Sequence, residues 1–281
     1  RVMIPVRALS ILGLLLPAAV WSTDMPDEPR PPVAAMKPYE VKSPFGTRRD
    51  EYYWLRDDTR QNPEVLAYLG AENAYKDAMM AHVKPLEDRL YGEIVARIKQ
   101  DDAGVPYLKR GHWYYWRYET GDEYPVYARK AGSLHAPEQV ILDADEIGRL
   151  HDFYQVGALE PSPDGQLLAY TEDTVGRRQF TLRFKDLATG RVLADEIPNV
   201  ESSVAWMADN RTVLYIEKDP QTLLGHKVRR HVLGTDPKSD PVVYDEADES
   251  FYVDVGTTKD GRYVYIYVQS TVSSEQRYAD A

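Results

Sequence analysis

SPDGQLLAY, residues 162–170, decides the fold because it returns. Residues 207–215 read MADNRTVLY and residues 258–266 read TKDGRYVYI. Each copy has a turn pair (Asp164-Gly165, Asp209-Asn210, Asp260-Gly261) followed by an apolar run with an aromatic residue in it. Asp, Asn and Gly are the residues that tolerate the backbone of a tight hairpin turn. The runs behind them read as strands. Gly111, followed by HWYYWRYE, opens an earlier copy. Gly111, Gly165, Asn210 and Gly261 recur roughly 45 to 54 residues apart, the period of a propeller blade of about four strands.

One unit can be read strand by strand as VGALEP, QLLAYTED, FTLRFKDL and RVLADEIP, with turns at Gly176-Arg177 and Thr189-Gly190. The units fall at 104–150, 157–200, 203–246 and 251–281, about three and a half blades. An irregular β-sandwich with accidental spacing is the competing architecture. A partial ring leaves strand edges and a flank uncovered, so the expectation is a portion of a longer protein.

Upstream of the repeats the period changes. Asn62-Pro63 is a helix start, with Asn as cap and Pro in the first turn. Val65, Leu66, Leu69, Tyr75 and Met79 follow at helical spacing. A second start at Lys84-Pro85 leads a narrow apolar stripe of Leu86, Leu90, Ile94 and Ile98, with Glu93 and Arg97 set for an i,i+4 pair. The expectation is a helical pair over 63–99. Residues 24–38 are Pro-rich and polar and read as an extended linker. Before them, Arg1 and Arg7 precede an apolar run from Ala8 to Val20 of about 13 residues, too short to span a bilayer and sized for an export signal. The expected partition is therefore a signal peptide at 1–22, a linker at 23–38, a helical segment at 39–100 and an incomplete propeller at 101–281. A cleavable signal implies a periplasmic or secreted protein with no stable membrane anchoring.

Composition narrows the chemistry. The net charge of −11 disfavours nucleic acid and anionic lipid, which need a basic footprint. It weakly suits cationic ligands. There is no cysteine, which removes disulfides, thiolate nucleophiles, Cys-based metal sites and a lipidated cysteine. The 21 tyrosines against 5 phenylalanines suit half-buried strands whose polar tips reach water.

The serines fall in turns or linkers: Ser162, Ser202, Ser203, Ser273 and Ser274; no G-x-S-x-G is present. His82, His112, His135, His151, His226 and His231 form no close-spaced ligand set, and the opposite parity of His226 and His231 puts them on different strand faces. The acidic runs Asp57-Asp58, Asp101-Asp102 and Asp245-Glu246-Ala247-Asp248-Glu249 lack calcium-loop spacing and read as solvated surface, with Asp57-Asp58 favouring the dipole of the following helix. The Asn210-Arg211-Thr212 sequon sits on a tight turn. No catalytic, metal or cofactor-binding residue is assigned, and no cofactor is expected.

The stretches SPFGTRRDEYYWLRDD (43–58) and NPEVLAYLGAENAYKDAMM (62–80) resemble the start of the oligopeptidase B branch of the prolyl oligopeptidase family of serine peptidases. The likeness continues in VARIKQDDAGVPY (95–107), DTVGRRQFTLRFKDLATG (173–190) and VAWMADNRTVLYIEKDPQTL (204–223), over essentially 38–281. The resemblance implies a seven-bladed propeller covering an α/β-hydrolase domain, with the N-terminal helical segment belonging to that domain. It implies hydrolysis of short peptides after Arg or Lys, and a propeller that excludes folded proteins. The family's Ser, Asp and His, and the acidic residues that recognise a basic side chain, lie beyond the propeller. None has a counterpart here, so the 281-residue chain by itself is expected to be inactive. The expected partners are short basic peptides and the chain's own C-terminal hydrolase domain. A non-catalytic binding or scaffold propeller, and a prolyl oligopeptidase with post-proline specificity, are the alternatives.

Overall fold

The computed structural model describes residues 29–281, so the export-signal reading at 1–22 and the start of the linker lie outside the described residues. The chain divides into two compact units, one ending at Ile98 and the other running from Lys99 to Ala281.

In the first unit, residues 29–38 are extended and tied down at their end. Lys37 N donates to Glu51 O at 2.8 Å, and Trp54 Nε1 donates to Ala35 O at 2.8 Å. A hairpin then forms from β1 (Tyr39–Ser43) and β2 (Gly46–Asp50), an element the helical reading of 39–100 lacked. The helix α1 (Pro63–Met80) starts where expected: the Asn62 side chain accepts from Glu64 N at 3.0 Å, with Pro63 in the first turn. The next helix, α2 (Lys84–Val95), is shorter than the stripe predicted. Arg97 N and Ile98 N bond the carbonyls of Ile94 and Val95, three residues back, which tightens the helix end into a 3₁₀ turn before Ile98. Glu93 faces Arg89 at 3.8 Å in place of Arg97. The stripe residues Leu86, Leu90, Ile94 and Ile98 are all exposed.

The second unit is mainly β, a partial propeller of stacked antiparallel sheets. The first sheet contains β3 (Asp102–Ala103), β4 (Tyr107–Lys109), β5 (His112–Tyr118), β6 (Val126–Ala131) and β7 (Glu138–Asp143). The short helix α3 (Ala144–Gly148) follows, capped by Asp143. Next come β8 (Gln155–Pro161), β9 (Leu167–Asp173), β10 (Phe180–Asp186) and β11 (Val192–Trp206), then β12 (Thr212–Lys218), β13 (Gly225–Val232) and β14 (Val242–Asp245). The last sheet is β15 (Tyr252–Thr257), β16 (Tyr263–Gln269) and β17 (Ser274–Asp280).

The expected end of RVLADEIP at residue 198 is a correction. β11 runs on for 15 residues and serves as the outermost strand of one blade and the innermost strand of the next. Its pairing changes at Val200, which is opposite Phe180 of β10 on one side and Glu217 of β12 on the other. The register shifts flanking this residue are bulges, which add twist where the strand passes between blades.

The core lies between blades. Tyr114, Ile141 and Leu142 meet Leu168 and Tyr170. Phe180, Leu182 and Phe184 meet Val204, Trp206 and Val213. Ala205, Leu214 and Val228 meet Val253, Val255 and Val264. The second strand of a blade is sandwiched on both faces, so β9 is buried at every residue from Leu168 to Asp173 in place of a half-buried alternation.

The recurring turns join the innermost strand of each blade to the second. Gly165, Asn210 and Gly261 all have positive φ (71°, 57° and 73°). Ser162 N, Met207 N and Thr258 N close the loops onto Leu167 O, Thr212 O and Tyr263 O at 2.8–2.9 Å. The Asp of each turn accepts from the amide two residues on: Gln166 at 3.0 Å, Arg211 at 3.0 Å and Arg262 at 3.1 Å. The sequence repeat is thus a repeated Asx-type turn whose carboxylate replaces missing backbone partners.

Two of these turn carboxylates, Asp209 and Asp260, tie stability to pH. The Thr258 hydroxyl and the Arg262 amide hold the Asp260 carboxyl below its ordinary value. At Asp209, burial pushes the carboxyl up, but the Thr212 hydroxyl and the Arg211 and Thr212 amides bring the net value down. Amide bonds lower Asp186 and Asp219 in the same way. A folded-state value below the unfolded one gives stability that is present above about pH 4 and lost as pH falls through the folded value. Urea unfolding midpoints should therefore hold between pH 7 and about 5 and drop below about 4. A midpoint unchanged down to pH 2 would contradict this.

Candidate functional site

The innermost strands β4, β8, β15 and the second half of β11 line one cavity of about 620 Å³. Two glycines sit on these strands where they lie close to their neighbours. A Cβ on Gly157 would stand 2.4 Å from Thr171 Oγ1, and one on Gly256 would stand 2.3 Å from Tyr265 Oη. Gly157 allows a close approach rather than backbone freedom, and at Gly256 a side chain would displace the end of the Tyr265 ring. The wall is braced from behind: Trp206 Nε1 donates to Glu160 O at 2.8 Å, and Thr171 Oγ1 to Ser202 O at 3.1 Å. Lys109 Nζ donates to Glu160 Oε2 at 2.6 Å, joining β4 to β8 across the cavity lining. Arg129 Nη1 reaches Gly165 O at 2.7 Å, and Asp164 N donates to Asn210 Oδ1 at 2.8 Å, so the turns of neighbouring blades are linked as well. Asn210 therefore has a packing role in its turn.

The residues singled out in the sequence scatter. Ser162 is buried and donates to Asp164 Oδ1 at 2.6 Å, inside its own turn. Ser202 and Ser203 line the cavity. Ser273 bonds Ser270 in the β16–β17 turn, and Ser274 opens β17. His82 bonds Met79 O, His112 lies 3.4 Å from Arg110 O, His135 is exposed, and His151 stacks on Tyr154. Asp57 accepts from the amides of Thr59 and Asn62, at 3.1 and 2.7 Å, so it braces the helix start through direct hydrogen bonds. Asp102 meets Lys99 at 3.2 Å. In the acidic run, Asp245 contacts His226 at 3.1 Å and Asp248 caps Ser250. Among the described residues no histidine nitrogen bonds a serine hydroxyl, and no group of three His, Cys, Asp or Glu side chains could hold a metal.

His226 and His231 share β13 and point to opposite faces. His231 is fully buried between two carboxylates, with Nδ1 3.0 Å from Asp240 Oδ2 and Nε2 3.1 Å from Asp195 Oδ1. Tyr215 Oη donates to Asp240 at 3.0 Å, and Gly234 N to Asp195 at 2.6 Å. Burial and the Asp240 charge push the Tyr215 phenol above its ordinary value, which keeps it a neutral donor to Asp240. The array joins β11 to β13 and the segment before β14. It gave no sequence signal because its members lie 9 and 36 residues from His231.

Comparison with known proteins gives a consistent match. Residues 32–281 match the family described as prolyl oligopeptidase, N-terminal beta-propeller domain. Dipeptidyl aminopeptidase BI of Pseudoxanthomonas mexicana is 53% identical over 267 residues, covering 89% of this chain and 37% of that protein. Oligopeptidase B from Leishmania major superposes with a TM-score of 0.82 at 29% identity, covering 90% of this chain and 38% of that one. Oligopeptidase B from Trypanosoma brucei, with covalently bound antipain in a closed form, gives 0.80 at 30% identity, covering 89% and 37%. The chain thus spans little more than a third of the length of these relatives.

Removing the imidazole leaves the buried Asp240 carboxylate and the partly buried Asp195 carboxylate without their shared hydrogen-bond partner. His231→Ala should cost about 2–3 kcal/mol, the range for a buried polar group left without its partner. Urea unfolding of the full-length protein measures it. A loss under 1 kcal/mol would mean that the array holds nothing together.

Proposed function

Because the chain belongs to the prolyl oligopeptidase family, we propose that it is the propeller-bearing part of a serine peptidase that hydrolyses short peptides after Arg or Lys. The catalytic serine, histidine and aspartate would reside in an α/β-hydrolase domain outside these residues. There the serine would attack the scissile carbonyl while the histidine moves its proton. The observation that carries this reading is the cavity lined by the inner strands. These strands, braced by Trp206 and by the Lys109–Glu160 pair, would form part of the wall of a channel that admits an extended peptide and excludes a folded domain. The propeller would act as the size-selecting gate, and the exposed apolar face of α2 would pack on the hydrolase domain. The Arg/Lys preference rests on the likeness to oligopeptidase B.

A second reading follows from the 53% identity to dipeptidyl aminopeptidase BI: removal of dipeptides from free N-termini. We further propose export, on the strength of Arg1, Arg7 and the apolar run between Ala8 and Val20; fractionation of cells carrying the full-length protein tests it.

Mass spectrometry of peptide digests by the full-length enzyme separates the activities. Cleavage after Arg or Lys in N-terminally blocked peptides supports the first reading. Stepwise loss of dipeptides from free N-termini alone supports the second. Cleavage after proline alone, or no cleavage with a downstream frame lacking G-x-S-x-G, would overturn both.

A further inference from the structure

The cavity wall is electrically polarised. Its lining carries Lys109, Glu160, Arg110, Lys259 and Asp254. Lys109 and Glu160 cancel, with Nζ 2.6 Å from Oε2. That leaves two cations at one end of the cavity and one anion along β15. Arg110 is exposed at the tip of the β4–β5 turn, with φ of 48°. Its guanidinium crosses to the β15–β16 turn, where Nη2 lies 3.1 Å from the position of a Cβ on Gly261. Lys259 belongs to that same turn. The neighbouring acid, Asp260, is committed to its own loop, accepting from Thr258 Oγ1 at 2.6 Å and Arg262 N at 3.1 Å. Among the described residues neither Arg110 nor Lys259 has an ion-pair partner, in contrast to Lys109, the third cation of the cavity lining. Asp254 lies within β15, three residues before the strand ends at Thr257, so about 10 Å of strand separates it from the turn.

We propose that Arg110 and Lys259 form a receptor for a carboxylate, the free C-terminus of a short peptide, at the turn end of the cavity. This rests on the reading that peptides enter the cavity. Asp254 further along β15 makes the opposite orientation unfavourable, so the wall would orient a peptide as well as admit it. The receptor is cationic within a protein of net charge −11, so it is a local feature and not a consequence of bulk charge. It selects a different part of the substrate from the basic side chain at the cleaved bond.

Binding to the full-length protein tests this without relying on hydrolysis. Three peptides without a basic residue are titrated by calorimetry: acetyl-pentaalanine, its C-terminal amide, and the amide with a central glutamate. The expected result at low salt is about five- to tenfold tighter binding of the free carboxylate than of either amide. The double variant Arg110→Asn, Lys259→Gln should bind all three alike. Asn before Gly111 suits the two-residue turn, so the variant keeps the local fold. Equal binding of carboxylate and amide by the unmodified protein, or a preference retained in the double variant, would overturn the proposal. Equal binding of the free carboxylate and the glutamate amide would overturn the assignment to the C-terminus. Hydrolysis of a blocked Arg peptide, assayed in parallel, reports on the peptidase reading separately.

Discussion

Everything in the propeller unit depends on a strand that belongs to two blades. β11 leaves its first partner and takes its second without breaking, and Val200 is the residue at which both ladders meet. A strand cannot be shared in this way unless its two halves twist relative to one another, and the register shifts beside Val200 supply that twist. With the strand fixed, Phe184 and Trp206 meet edge to face with centroids 5.9 Å apart, and the core between the blades closes around Val200, which is 1% exposed. The buried His231 array spans the same junction, with the His231 ring stacked on Phe184. Separating these blades would expose apolar surface and two carboxylates together, so the junction gains cooperativity from both.

The cavity is a consequence of that stacking. Blades that pack face to face around an axis bring their first strands together. Gly157 and Gly256 allow close approach along them, and Trp206 is tethered to Glu160 O. The recurring Asp turns sit at one end of these strands and are bonded to one another, as Asp164 is to Asn210. The charges around such a cavity come from both sources, Arg110 and Lys259 on the turns and Lys109, Glu160 and Asp254 on the strands.

Much of this was legible in the sequence. SPDGQLLAY and its two echoes located the turns to the residue, because positive φ at Gly165, Asn210 and Gly261 restricts the choice of side chain. Asn62-Pro63 fixed the start of α1 for the same kind of reason, a local bond that the cap residue must make. What was hidden is long-range. The continuation of β11 past Pro198 looked like a break because proline there reads as a strand end. The hairpin at 39–50 has few β-branched residues, only Val41 and Thr47, and its strands are almost wholly exposed. The stripe on α2 predicted a buried face, whereas Leu86, Leu90 and Ile94 stand exposed. The neighbours of His231 and the reach of Arg110 to the Gly261 turn depend on how blades stack, which no periodicity within one strand encodes.

The central claim is that the blades on either side of β11 unfold as one unit. Hydrogen exchange followed by mass spectrometry under native conditions measures it most directly. Segments covering β9 and β10, on one side, should exchange at the same slow rate as segments covering β12 and β13, on the other, and His231→Ala should raise both together. Exchange that is fast in one blade while the other stays protected, or an effect of the substitution confined to β13, would contradict it.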